Sequence, residues 1–288
     1  MNKLAVFGVG LIGGSFAMAL RQAGVVGEVV GVGRGRENLE LALRLGVVDS
    51  IAEPEDAVRG ADLVMLAVPV GQMGGVMARI AARLEAGAVV TDAGSTKQDV
   101  AEIAQTSLQS SLDCFVPGHP IAGAELSGVA AASADLFQGK QVVLTPCTQT
   151  SADALLRVRQ AWQACGAQVA EMSPAEHDRV FAAVSHLPHL LAFALVDDIA
   201  GKANAGQLFG YAASGFRDFT RIAGSHPEMW RDICLANRVA LLGELDAYRG
   251  QLERLRTALE QGDGAALERV FARASAARNA WAANKKNA

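Results

Sequence analysis

Gly8-Val9-Gly10-Leu11-Ile12-Gly13-Gly14-Ser15 is the stretch that decides how this chain folds. An apolar run over residues 3–9 leads into it, and a helical pattern over residues 16–23 leads out. Three such glycines alone would fit an ordinary tight turn. Strand, glycine turn and helix in that order form a dinucleotide-binding fingerprint. Gly8 permits the turn, Gly10 lets the backbone approach a pyrophosphate, and Gly13 lets the helix pack on the strand. The helix N-terminus offers free N–H groups and a positive dipole end to phosphate, and Leu11 and Ile12 within the turn are candidate cofactor contacts.

Working outward, residues 28–32 read as a second strand, whose end should carry the group that reads the adenosine ribose. A carboxylate there would bind the 2′-hydroxyl of NAD. The sequence instead runs Gly31-Val32-Gly33-Arg34-Gly35-Arg36. Gly33 leaves room, and Arg34, with Arg36 as a second candidate, brings charge suited to a 2′-phosphate, so NADP is expected in preference to NAD, with NAD still allowed. Residues 62–69 form a continuous apolar run, as buried parallel strands do. Val68 and Pro69 end it where a cofactor would lie across the carboxyl edge of the sheet.

Residues 88–92 are the next such strand, followed by Ala93-Gly94-Ser95-Thr96-Lys97. Ser95 is placed either to cap the helix beginning near Lys97 or to reach a reacting alcohol; the two roles are compatible. A short strand at 113–116 then leads into Val116-Pro117-Gly118-His119-Pro120-Ile121-Ala122-Gly123, which sets one histidine in a Pro/Gly-rich turn. Strands at 141–145 and 168–171 flank a helical stretch at 152–165. Alternation of strand and helix to this point predicts a parallel α/β sheet.

At Met172-Ser173-Pro174-Ala175-Glu176 the pattern changes. Ser173 with Glu176 resembles a capping box, with Pro174 at the favoured first helical position. Helical periods dominate from there to Trp281. The expected fold is therefore α/β: a dinucleotide-binding domain over residues 1–172, followed by an all-helical domain over 173–288.

At 288 residues the chain exceeds the usual single-core size, in keeping with two domains. A formal net charge of −4 argues against nucleic acid as the main partner. We see no signal peptide and no run of about 18 apolar residues, so neither export nor a membrane is expected and the cytoplasm is. Four scattered cysteines without CxxC spacing predict reduced thiols and no metal cluster.

In the helical half, Ser185-His186-Leu187-Pro188-His189 should kink or restart a helix, because Pro188 lacks a backbone donor. His186 and His189 share a face if that segment is helical. Neither HExxH nor a nearby third ligand supports zinc, so no metal is expected. They read either as buried, hydrogen-bonded histidines or as donors to an anionic substrate. Gly215-Phe216-Arg217-Asp218-Phe219-Thr220-Arg221-Ile222-Ala223 follows a glycine-containing turn at 206–210. Phe216, Phe219 and Ile222 are expected to fix this segment against a core and aim a guanidinium, a good bidentate ligand for carboxylates.

Together GVGLIGGS at 8–15, DAGSTK at 92–97, GHPIAGAELSG at 118–128, SHLPH at 185–189 and GFRDFTRIAGSHPEMWRDI at 215–233 resemble the prephenate dehydrogenase family, which includes arogenate and cyclohexadienyl dehydrogenases of tyrosine biosynthesis. The resemblance implies a Rossmann-type domain, a helical domain that makes a homodimer, and oxidative decarboxylation of a small cyclohexadiene substrate. It implies that His119 accepts a hydrogen bond from the substrate C4 hydroxyl, assisted by Ser95. It further implies that Arg221 holds a substrate carboxylate and that His189 is a second substrate-side donor, with His186 beside it. Glu125 falls where an acid could meet the ammonium of arogenate. Gly33 departs from the aspartate of NAD-using members. The β-hydroxyacid dehydrogenase group has a similar architecture but typically uses a lysine base where this chain offers histidines; a redox sensor would not need this donor set at all.

Overall fold

The computed structural model describes residues 1–123 and 126–286, with 285 and 286 as helix backbone only; Glu125 lies outside the described residues. Two compact units emerge, residues 1–238 and residues 239 onward.

The first unit is built on six parallel strands: β1 (Lys3–Phe7), β2 (Glu28–Val32), β3 (Ser50–Ile51), β4 (Leu63–Leu66), β5 (Val89–Asp92) and β6 (Phe115–Val116), in the order β3-β2-β1-β4-β5-β6. Successive side chains on a strand point to opposite faces, and the sequence fills both. Leu4 and Val6 of β1 pack with α1 (Leu11–Gln22) and the rest of one core, whereas Ala5 and Phe7 pack into the other. Helix α2 (Arg36–Arg44) belongs with α1; α3 (Pro54–Ala57), α4 (Val70–Ile80) and α5 (Gln98–Ser107) cover the opposite face; α6 (Ala152–Ala164) returns to the α1 side, where Trp162 meets Phe16 at a 4.6 Å ring separation. Runs apolar at every position are what burial on two faces demands.

A second, three-stranded sheet follows: β7 (Gly118–Pro120), β8 (Gln141–Leu144) and β9 (Gln168–Glu171). This corrects two expectations. His119 sits in a short strand rather than a turn, paired opposite Val143, and β7 runs antiparallel to β8. Only β8 and β9 continue the parallel pattern. Pro117 lies between the two sheets, where no ladder N–H is needed.

Helix α7 (Pro174–Phe181) starts as read from sequence, with the Ser173 hydroxyl accepting from the Glu176 N–H at 3.2 Å. A π-helical turn, Ala182–His186, precedes α8 (Leu187–Ala200), so the helix is distorted immediately before Pro188. The stretch Pro174–Ala200 is long and apolar enough by composition to cross a membrane. Yet it carries the fully buried His177 and His186 and the buried Asp178 inside this unit, which marks it as a site helix. Residues 206–210 belong to a short helix, α9 (Ala205–Gly210), not to a turn. Then come α10 (Ser214–Thr220) and α11 (Pro227–Ala236). The second unit consists of two 23-residue helices, α12 (Arg238–Glu260, whose first residue ends the first unit) and α13 (Gly264–Lys286), joined by a turn in which Gly262 takes a φ of +64°.

Candidate active site

The glycine turn is shaped by close approach. Gly8 has a φ of +88°, and a Cβ there would lie 2.3 Å from the Ala67 carbonyl oxygen. A Cβ on Gly13 would lie 2.3 Å from the Gly8 carbonyl oxygen and 2.9 Å from Val6, so the helix can rest on the strand only if this position has no side chain. At Gly10 a Cβ would meet nothing within 4 Å. Crowding therefore explains Gly8 and Gly13, while Gly10 borders open space where a ligand's phosphates can approach. The first turn of α1, which holds Leu11 and Ile12, has neither a side-chain cap nor an acidic residue, so its N–H groups remain available to an anion. Asn38 braces the turn: its Nδ2 donates to the Val9 carbonyl at 2.7 Å and its Oδ1 accepts from the Val129 N–H. Val68 lies over Gly8, and Pro69 precedes α4. Gly33 and Arg34 are exposed beyond β2, whereas the Arg36 guanidinium is engaged by Glu40 at 2.8 Å. These residues fit a dinucleotide.

Where β5 ends, a buried ion pair holds the next piece of the site. Lys97 and Asp92 are fully buried, with Nζ 2.5 Å from Oδ2. Lys97 Nζ also donates to the Gly118 carbonyl at 2.7 Å, while Asp92 accepts from the N–H groups of Gly94 and Gly118. The pair thereby clamps β7, and with it His119, to the carboxyl edge of β5. Sequence reading did not single out either charge, although both stand in DAGSTK. An acid at the end of an apolar strand and a lysine five residues later were the available signal.

His119 Nδ1 lies 2.8 Å from His177 Nε2, and His177 Nδ1 lies 2.8 Å from Asp178 Oδ1. Phe181 packs on both rings, at 4.8 Å from His119 and 4.4 Å from His177. Asp178 also accepts from the N–H groups of Lys97 and Gln98, each at 2.9 Å. It is therefore the cap of α5, supplied by α7 from 80 residues away. This overturns the capping role expected of Ser95, which precedes the Lys97 N-cap position and is partly buried. Neither His177 nor Asp178 was read from the sequence. Their only signal was a His-Asp pair just inside a capped helix.

The helical half brings the other expected residues to the same cluster. His186 is fully buried, and Asn237 Nδ2 reaches both its Nδ1 (3.0 Å) and the Asp178 carbonyl (2.7 Å). Because a carbonyl only accepts, Asn237 must present its NH₂ group, so His186 Nδ1 accepts and the proton sits on Nε2, near the Ser95 backbone. His189 donates from Nδ1 to the Ser185 carbonyl at 2.8 Å and stacks on Trp230 at 3.6 Å. Arg221, in the turn Arg221–Gly224 that packs against α8, is near enough to oppose protonation of His189. Phe216 is only partly buried and Phe219 is 52% exposed, which corrects the expectation that these rings lie in a core of this chain.

Burial is the main cause of depressed basicity at four histidines. It holds His119 well below the usual 6.5, helped by the nearby His177, Lys97 and His186. It lowers His177 despite Asp178, takes His186 to about 4, and lowers His189. Asp178 is pushed up by burial, but its bonds from His177, Gln98 and Lys97 win and keep it ionised. A group whose folded pKa is depressed binds fewer protons than in the unfolded chain, so stability falls as pH drops through the unfolded value. Stability is expected to be full above about pH 6.5 and to decline below it, each such histidine adding at most about 1.4 kcal/mol per pH unit. Urea midpoints that stay level from pH 7.5 to 5.5 would contradict this arrangement.

Among the described residues no group of three or more His, Cys, Asp or Glu could hold a metal ion. Residues 16–171 match the family described as "Prephenate dehydrogenase, nucleotide-binding domain", and residues 173–273 match "Prephenate dehydrogenase, dimerization domain". The chain is 39% identical over 283 residues to a cyclohexadienyl dehydrogenase of Zymomonas mobilis, covering 96% of this chain and 95% of that one. Its fold is similar to that of A. aeolicus prephenate dehydrogenase in complex with hydroxyphenyl propionate and NAD+, with a TM-score of 0.89, 36% identity, and coverage of 97% and 98%. Synechocystis arogenate dehydrogenase is similar at a TM-score of 0.81 and 31% identity, with coverage of 97% and 99%. Two family matches that together run from residue 16 to residue 273, and so take in the whole histidine cluster, leave one assignment: the chain belongs to the prephenate dehydrogenase family of nicotinamide-dependent oxidoreductases.

Proposed function

We propose that this protein catalyses oxidative decarboxylation of prephenate, arogenate or both, giving 4-hydroxyphenylpyruvate or tyrosine, with NADP+ preferred over NAD+. The observation that carries the reading is a neutral His119 held at the carboxyl edge of the parallel sheet, with Nδ1 engaged and Nε2 left for a ligand. When bound, the nicotinamide supplies a hydride acceptor. His119 Nε2 takes the C4 hydroxyl proton as hydride departs from C4, and Ser95 helps to orient that hydroxyl. Loss of carbon dioxide returns the electron pair to the ring and aromatises it. The phenol so formed has a pKa of about 10, far above that of His119, so the proton goes back to the product oxygen and no net proton is released. Arg221 receives a substrate carboxylate, with His189 and His186 beside it; Glu125, outside the described residues, is proposed from the family resemblance alone as a contact for the arogenate ammonium.

In this reading residues 1–172 hold the cofactor, while 173–288 supply the substrate side and the homodimer contact. Val184 (67% exposed), Tyr211 (84%), Leu235 (62%) and Phe219 are large apolar side chains left exposed in the single chain, the kind of group a second copy would bury. The free thiols of Cys114, Cys147, Cys165 and Cys234 suit the cytoplasm.

Four initial-rate assays, prephenate or arogenate with NAD+ or NADP+, test the proposal. Wild type is expected to favour NADP+. A Cβ on Gly33 would touch only Leu39, at an ordinary 3.5 Å, so Gly33→Asp can be accommodated. It should lower the NADP+/NAD+ ratio of kcat/KM by about 10-fold or more, through 2′-phosphate repulsion and a new bond to the 2′-hydroxyl. Preference of the wild type for NAD+ overturns the cofactor choice; silence in all four assays overturns the reaction.

A further inference from the structure

We propose that Asp178 and His177 form a positioning relay that fixes the tautomer of His119 and shares the positive charge His119 acquires as it takes the substrate proton. The inference rests on the reaction proposed above, but its core is a hydrogen-bond direction that can be read without turnover. The chain has one fixed end. Asp178 is an ionised carboxylate, which only accepts, so His177 must donate to it from Nδ1. With that proton placed, neutral His177 has only a lone pair on Nε2. His119 must then donate to it from Nδ1 at 2.8 Å, leaving the Nε2 lone pair of His119 for substrate. One carboxylate thus dictates two tautomers in series, as the acid of a Ser-His-Asp triad dictates one. The opposite tautomer would put hydrogen on Nε2 and make His119 useless as an acceptor.

Placement of the carboxylate is over-determined. The Lys97 and Gln98 N–H groups at the start of α5 hold Asp178, and Asn237 holds its backbone carbonyl. When His119 Nε2 accepts the hydroxyl proton, its Nδ1 proton can move toward His177 Nε2, so that the charge is spread over two rings ending on an anion. The reverse shift hands the proton back to the product oxygen. Nearby charges are mixed: His177, Lys97 and His186 disfavour protonation of His119, and Lys97 disfavours that of His177 as well, but only His177 has carboxylates, Asp178 and Asp92, that favour it. The carboxylate end therefore sets where positive charge can rest. His177 does not touch the reacting atoms in this scheme and is a positioning residue.

Long-range ¹H–¹⁵N correlation spectra of the full chain, histidine-labelled and saturated with NADP+, decide the hydrogen-bond direction directly. The expected result is Nδ1–H at both His119 and His177; Nε2–H at His119 overturns the relay. The second measurement compares His177→Gln, whose side-chain oxygen can still accept from His119, with His177→Phe, which cannot. The phenylalanine variant should lose about 10²- to 10⁴-fold in kcat, the upper end being the loss when the tautomer-fixing acid of a Ser-His-Asp triad is neutralised. The glutamine variant should lose less, with KM and NADP+ affinity unchanged in both. Equal losses, or losses confined to KM, overturn the relay. A wild type that turns over no cyclohexadiene substrate but shows the expected tautomers would sink the reaction and leave the hydrogen-bond chain intact.

Discussion

His119→Asn is expected to lower kcat by roughly 10²- to 10⁴-fold, the range for removing a general base, with KM and NADP+ affinity changed no more than a few-fold. The large effect follows from how few groups can do this work. Of the four histidines in the cluster, His177 is wholly buried and bonded at both nitrogens. His186 is fully buried, with its acceptor nitrogen taken by Asn237. His189 gives Nδ1–H to a backbone carbonyl and lies flat on an indole. His119 is partly exposed at the end of the parallel sheet with Nε2 to spare; His189 also keeps its Nε2, but it sits on α8 stacked against Trp230 rather than at the carboxyl edge of the sheet. Cofactor affinity should be spared because Gly8, Gly10, Gly13 and the N-terminus of α1 make no use of the imidazole. Asparagine keeps an NH₂ group that can take over the donation to His177 Nε2, so the variant should be slow without a large loss of stability. Steady-state kinetics with a fluorescence titration of NADP+ separate the effects. A variant that keeps kcat within 10-fold of wild type would remove His119 from the chemistry.

The parts legible in the sequence are those governed by local rules. Gly8 and Gly13 announce themselves because no other residue fits where they stand, and continuous apolar runs at β1, β4 and β5 announce burial on two faces. The cap at Ser173 and the disturbance before Pro188 are likewise local. What could not be read depends on partners far along the chain. His119 is flanked by Pro117 and Pro120 and looks like a turn; its strand exists because Gln141–Leu144 runs back beside it. Ser95 looks like a helix cap, yet the cap is Asp178. Arg221 was found through the family resemblance, and of the rings expected to anchor it Phe216 is only partly buried and Phe219 is exposed in the single chain. Such contacts have no period and no spacing, so propensity is silent about them.

Lys97→Met should destabilise the protein by about 3–5 kcal/mol, although methionine fits the space and the substitution sits behind the site rather than in it. Two opposed expectations meet here. Ion pairs are weak on average, and the exposed Arg79–Glu55 pair, at 2.8 Å, should contribute little when Arg79 is removed, because water solvates whichever charge remains. The Lys97–Asp92 pair is fully buried, so its removal leaves the Asp92 carboxylate in the protein interior with only the Gly94 and Gly118 N–H groups for company. The Gly118 carbonyl simultaneously loses its Nζ donor. That carbonyl belongs to β7, one residue before His119, so the lost stability and the lost activity share a cause: the strand carrying the base is no longer clamped to β5. Urea unfolding of Lys97→Met beside Arg79→Met measures the contrast, and kcat at a temperature where both remain folded measures the coupling. Comparable, small losses in the two variants would mean that the buried pair does not clamp the strand, and that β7 is held by its pairing with β8 instead.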